Sequence, residues 1–97
     1  MSAAPHLAVI GAGIAGMYAA WRLDALGYRV SLFERHGRPG GHTDTHNIDD
    51  ATGQVAIDTG FIVFNRRDYP TLGSMFDQLG VRSQATSMSF SAHDPAV

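Results

Sequence analysis

The chain has 97 residues, 44% hydrophobic and 16% charged, with a formal net charge of −2, which fits one small globular domain or part of one and excludes a disordered segment. It shows no basic stripe for nucleic acid, no cysteine for disulfides or thiolate metal sites, and no zinc-ligand spacing among its five histidines, His6, His36, His42, His46 and His93. The opening residues lack the basic region of a leader, and no run approaches the roughly 20 apolar residues of a membrane span, so the chain is expected to be cytoplasmic, with no nucleic-acid partner, no metal and no transmembrane segment.

A first strand is predicted from His6 to Ile10. Its consecutive apolar residues, Leu7-Ala8-Val9-Ile10, suit a strand buried on both faces. It leads into Gly11-Ala12-Gly13-Ile14-Ala15-Gly16 and a helix from Ile14 to Leu26, stopped by Gly27. Ile14, Met17, Tyr18, Trp21 and Leu26 are the bulky apolar set of that helix, while Ala12, Ala15, Ala19 and Ala20 permit close approach to a sheet. A second strand from Arg29 to Phe33 ends at Glu34. Residues 6–34 thus read as a βαβ unit, right-handed by the crossover rule.

Residues 35–60 read as a glycine-rich loop followed by a hairpin of two short strands, His46 to Ile48 and Gln54 to Ile57, with Asp49 to Gly53 as the turn. Asp58-Thr59-Gly60 breaks the pattern. Phe61 to Phe64 is apolar and reads as a short strand or packed loop, more core than substrate pocket. Arg66, Arg67 and Asp68 read as a solvated turn. A second helix is predicted over residues 69–79, opened by Pro70 and closed by Gly80, with Leu72, Met75, Phe76 and Leu79 as one apolar stripe. A last strand is predicted around Ser87-Met88-Ser89-Phe90.

The chemistry sits between Gly11 and Thr43. Gly11 allows a sharp turn out of the strand, Gly13 lets a pyrophosphate approach the backbone, and Gly16 lets the helix pack on the sheet. The amides of Ile14, Ala15 and Gly16 open the helix, whose N-terminus favours a diphosphate. Glu34 stands where an acidic residue accepts hydrogen bonds from an adenosine ribose, about 20 residues along, and its charge disfavours a 2′-phosphate. Arg35 could reach a phosphate, stack on adenine or stay solvated. Arg38-Pro39-Gly40-Gly41 adds a second close backbone approach: Gly40 and Gly41 can take dihedrals other residues cannot, and Arg38 can neutralise a diphosphate. This doublet points to FAD rather than NAD.

These stretches, Val9 to Gly16, Glu34-x-x-x-Arg38-x-Gly40-Gly41 and Asp58-Thr59-Gly60, resemble the N-terminal part of flavin-containing amine oxidases and phytoene-desaturase-like enzymes. Gly41 to His46, Asp58 to Asn65 and Met88 to Ser91 are similar to a bacterial amine-oxidase-like subgroup. The resemblance implies FAD held by Gly11, Gly13, Gly16, Glu34, Arg38, Gly40 and Gly41, in an enzyme of several hundred residues that acts on a small-molecule substrate. Many relatives carry arginine after the Gly-Gly pair. Here His42 stands there, either touching phosphate or flavin or serving as an ordinary loop histidine. Thr43 and Thr45 could line the flavin edge. Asp58 is read as tying its own loop to backbone N–H groups, with a base role as the alternative.

The expected fold is α/β: the N-terminal part of a doubly wound, Rossmann-like FAD-binding domain of the glutathione-reductase type, incomplete on its own because such a sheet needs four or more parallel strands and two are present. The expected function is that of an FAD-dependent oxidoreductase to which this chain contributes the ADP-binding part, with no catalytic residue assigned. The alternatives are an NAD-binding dehydrogenase domain and a non-catalytic fragment or accessory subunit. The expected partners are the remainder of the flavoenzyme, a partner subunit or a second copy.

Overall fold

A computed structural model describes residues 5–96. The opening Met-Ser-Ala-Ala stretch, part of the reading that no leader is present, lies outside the described residues. The chain divides into two compact units, one ending at Val63 and one beginning at Phe64.

In the first unit, β1 (His6–Ile10), α1 (Ile14–Ala25) and β2 (Arg29–Phe33) follow one another. β1 and β2 pair in parallel with Ala8 opposite Ser31 and Ile10 opposite Phe33. Parallel neighbours share a face, so Leu7, Val9, Val30 and Leu32 line one side and Ala8, Ile10, Ser31 and Phe33 the other. α1 packs on both strands, and it does so on the Val9 side, because a side chain at Gly16 would touch Val9 Cγ1. The expectation that β1 is buried on both faces is therefore corrected. Among the described residues this sheet has two strands and one helix covers one side of it, leaving Ile10 79% and Phe33 55% exposed on the other.

α1 ends one residue earlier than predicted, with Leu26 as its cap. Gly27 takes φ +92°, and the N–H groups of Gly27 and Tyr28 donate to the carbonyls of Asp24 and Leu23, satisfying carbonyls the helix leaves open.

β3 (Thr45–Asp50) and β4 (Gly53–Asp58) form a separate antiparallel hairpin. Its strands are longer than predicted, because Asp49, Asp50 and Gly53 belong to the ladder rather than the turn. The turn shrinks to Ala51 and Thr52, with Asp50 Oδ1 accepting the Thr52 N–H at 2.7 Å and its hydroxyl at 2.6 Å, an Asx-type bond that closes a tight reversal. Every hairpin residue is exposed. Phe61, Ile62 and Val63 form no strand and are exposed, so their assignment to the core is corrected.

In the second unit, α2 (Pro70–Leu79) starts and stops as the sequence predicts, with Pro70 in its first turn and Gly80 left-handed at its end. Met75 and Gly73 are its buried residues, and Phe64 packs edge-on against Phe76 at 5.2 Å. Leu79, expected in the apolar stripe, is exposed. Arg66 is more than a solvated turn residue: its guanidinium makes two 3.1 Å bonds to the Asp77 carboxylate. Residues 83–92 form no strand, which corrects the last predicted element. A strand exists only by pairing, and no ladder in the described residues includes this segment.

Candidate functional site

The site begins where β1 ends. The Gly11 N–H donates to the Phe33 carbonyl at 2.8 Å, carrying the parallel ladder one residue past β1. Gly11 then takes φ +100°, the turn that glycine permits. Ala12, one of the few buried residues, follows. Gly13 caps α1 with no side-chain partner for the first turn. The Met17 N–H is the first to bond back, to the Gly13 carbonyl. The amides of Ile14, Ala15 and Gly16 therefore have no acceptor among the described residues, leaving unpaired donors at the positive end of the helix dipole. A Cβ on Gly16 would overlap the Gly11 carbonyl. The third glycine is thus required by space, as the spacing predicts.

The second glycine loop lies directly on this turn. The Gly40 N–H donates to the Ala12 carbonyl at 2.7 Å. Gly40 and Gly41 take φ +120° and +62°, and a Cβ on Gly41 would come within 3.0 Å of Gly13 Cα. Two separate glycine segments meet backbone to backbone, with no side chain between them.

Glu34 joins both ends of the arrangement. Its Oε1 accepts the Ala12 N–H at 2.9 Å and its Oε2 accepts the His36 N–H at 2.8 Å. These bonds, His36 first and Ala12 second, hold its carboxyl below the ordinary carboxylate value. A carboxylate has about four acceptor positions, so two amides leave room for ribose hydroxyls. A shallow, open cleft is lined by Glu34, His36, Arg38 and Gly41.

Arg38 turns onto its own loop. Nη1 donates to the Pro39 and Thr43 carbonyls at 3.2 and 3.1 Å, and Nη2 donates to Gly41 at 3.1 Å and lies 3.5 Å from Asp44 Oδ2. It shapes the glycine loop while remaining half exposed at the cleft. Thr43 closes the same loop, its hydroxyl donating to the Gly40 carbonyl at 2.6 Å. The Arg35 guanidinium makes no hydrogen bond or ion pair among the described residues, and His42 is exposed. Thr45 does not face this loop: its hydroxyl donates to Asp58 Oδ1 at 2.6 Å across the hairpin. Asp58 is accordingly a cross-strand partner, not the backbone tie that the sequence suggested.

Sequence assigns no site role to three residues of the arrangement. His36 supplies the amide that fixes Glu34 and lines the cleft. Thr59 donates both its N–H and its hydroxyl to the Asp44 carbonyl, each at 2.8 Å. Gly60 lies against His42, whose carbonyl a Cβ would overlap. The sequence signals for the last two are the break in alternation after β4 and the Asp58-Thr59-Gly60 stretch that carries part of the amine-oxidase resemblance. Among the described residues no group of three or more His, Asp or Glu is placed to hold a metal ion, and no helix is long and apolar enough to cross a membrane.

A parallel βαβ unit with glycines at the helix N-terminus and a carboxylate at the end of the second strand defines a dinucleotide-binding α/β domain. The NAD(P)-binding Rossmann-like domain family matches residues 9–79, and the chain belongs to it. Among its relatives, Lysine-specific histone demethylase 1 homolog 1 of Arabidopsis thaliana is 37% identical over 78 residues, 79% of this chain and 9% of that protein. Protoporphyrinogen oxidase 2 (chloroplastic/mitochondrial) of the same plant is 33% identical over 79 residues, 81% of this chain and 15% of the relative. L-amino-acid oxidase of Daboia russelii is 42% identical over 41 residues, 42% of this chain and 8% of the relative. The resemblance to the amine-oxidase group is borne out by these matches, and the chain spans a small fraction of each relative's length.

Proposed function

We propose that the chain forms the ADP-binding part of an FAD site in an oxidoreductase of amine-oxidase or desaturase type. The observation that carries this reading is the backbone seam between the two glycine segments, Gly40 N–H on the Ala12 carbonyl and Gly41 against Gly13. It clears side chains from the mouth of an uncapped helix, as a diphosphate requires. In this reading the amides of Ile14, Ala15 and Gly16 hold the diphosphate, Glu34 accepts the ribose hydroxyls, and Arg38 adds positive charge at the cleft. The relatives named as oxidases favour a flavin. FAD, when bound, supplies a hydride acceptor for a C–H bond beside an amine or another activated carbon. No residue here is assigned to that step. The family's NAD(P)-binding description supports NAD as the second reading.

Titration of the isotopically labelled full chain tests this. ADP and FAD are expected to shift the amides of Ile14 to Gly16 and of His36, whereas FMN, which lacks the adenosine, leaves them in place. Glu34→Ala weakens ADP and FAD about tenfold to a hundredfold, the usual worth of hydrogen bonds to a charged group. No response to ADP or FAD overturns the reading. A response to NAD together with absence of the flavin absorbance band in protein purified from cells would favour the NAD alternative.

The exposed face supports the proposal of a partner. Ile10 and Phe33 need cover, and both edges of a two-stranded sheet invite pairing. The chain is proposed to work with the remainder of a flavoenzyme, with a partner subunit, or as a self-associated form, and to show no turnover alone. Size-exclusion chromatography with light scattering on the isolated chain is expected to report association, and a cooperatively melting monomer contradicts it.

A further inference from the structure

Gly60 is a glycine that its backbone dihedrals do not explain. It is not among the residues with positive φ, so no left-handed turn calls for a glycine there. Space forbids a side chain instead. A Cβ there would overlap the His42 carbonyl oxygen, approach its carbon to 2.8 Å and reach Thr43 Cα at 3.3 Å. All three are main-chain atoms, which no rotamer change can move aside. The residue before it grips the same segment, because the Thr59 N–H and hydroxyl both donate to the Asp44 carbonyl. The hairpin brings this pair back, with Thr45 opposite Asp58.

From there the contacts run without a break into the first glycine turn. The Thr43 N–H and hydroxyl both donate to the Gly40 carbonyl. The Gly40 N–H donates to the Ala12 carbonyl. We infer that Thr59 and Gly60 are positioning residues for the second glycine loop: they hold residues 42–44 from behind, keep Gly40 and Gly41 seated on the first glycine turn, and thereby set the site's affinity for its dinucleotide. The hairpin, exposed along its whole length, acquires a task in this way. The affinity part of the inference rests on the dinucleotide reading above, whereas the seating of the loop does not.

Amide hydrogen exchange of the labelled full chain separates the two. Gly60→Ala is expected to lower the protection of the Gly40 N–H about tenfold, because the loop must lift off to admit the methyl group. Thr59→Ala, which deletes one of the two bonds to Asp44 and leaves the backbone bond, lowers it about threefold. Thr59→Ser restores it. FAD or ADP affinity falls in the same order in the titration above. Should Gly60→Ala fail to fold, the Thr59→Ala and Thr59→Ser pair decides. Unchanged Gly40 protection in the folded variants overturns the positioning role, whatever the ligand does. Lost protection with unchanged affinity overturns the link to the dinucleotide. A parent chain that ignores ADP and FAD, with Gly40 protection still dependent on Thr59, overturns the dinucleotide reading and leaves the loop-seating role standing.

Discussion

β1–β2 and β3–β4 are strand pairs of similar length, yet their fixing contacts reach over different distances. The parallel pair has a helix on one face, and its key contacts join residues far apart in sequence: Gly11 to Phe33, Glu34 to Ala12, Gly40 to Ala12. The hairpin has no covered face, and its turn is secured by Asp50 and Thr52, two residues apart. Both contain glycines and a carboxylate that accepts a backbone N–H. In the parallel pair these features knit separate segments together, whereas at the hairpin turn they shape only their own reversal. A perturbation of the first should spread, and one of the hairpin turn should stay local.

The largest effect that would sharpen this contrast is expected from Gly16→Val. Its Cβ collides with the Gly11 carbonyl, so the helix must leave the strands, at a cost of about 3 kcal/mol or more. Urea unfolding followed by the fluorescence of Trp21, which lies on that helix, measures it. A midpoint equal to the parent's would break the contrast. Gly53→Ala is the hairpin counterpart. Nothing stands within 4 Å of a Cβ there, but φ is +119°, so the cost is the backbone one of about 1 kcal/mol. Amide exchange should show it confined to the hairpin.

The smallest effect is in acid. Glu34 and Asp50 are both held below their ordinary values of 4.5 and 3.8, Glu34 by the His36 and Ala12 amides and Asp50 by the Thr52 hydroxyl and amide. A depressed folded-state value stabilises the fold above the ordinary value, and the contribution is lost as pH falls through the depressed one. Acid titration by NMR should therefore disturb the Ala12 amide when Glu34 protonates and the Thr52 amide when Asp50 does. Glu34→Gln abolishes the first response alone. If Asp50 protonation also moved Ala12, the hairpin turn would not be local.

The same difference in reach explains what could be read from sequence. β1, β2 and α2 match their predicted spans because an apolar run, a glycine stop and an N-terminal proline act locally. The glycine spacing and Glu34 were legible for the same reason, each having a fixed offset from a strand. The hairpin exceeds its predicted span because Asp50 and Gly53 are turn residues by type but ladder residues by pairing. The strand expected near Met88 is missing, since alternation cannot supply a neighbour to pair with, and Phe90 is 93% exposed. Gly60 is legible as part of the Asp58-Thr59-Gly60 stretch but not as a site residue, because its reason lies in His42, a contact that no local pattern encodes.

The double engagement of Glu34 bears on how the cofactor preference of such a fold can change. The obvious route to accepting a 2′-phosphate is to replace this carboxylate with a small or basic side chain. Here that replacement also removes the acceptor of the Ala12 N–H, in the turn where both glycine segments meet. In the dinucleotide reading proposed above, selectivity and loop shape would thus rest on one side chain. Redesign at this position needs a second substitution that supplies a new partner for Ala12, and evolution along the same route meets the same coupling.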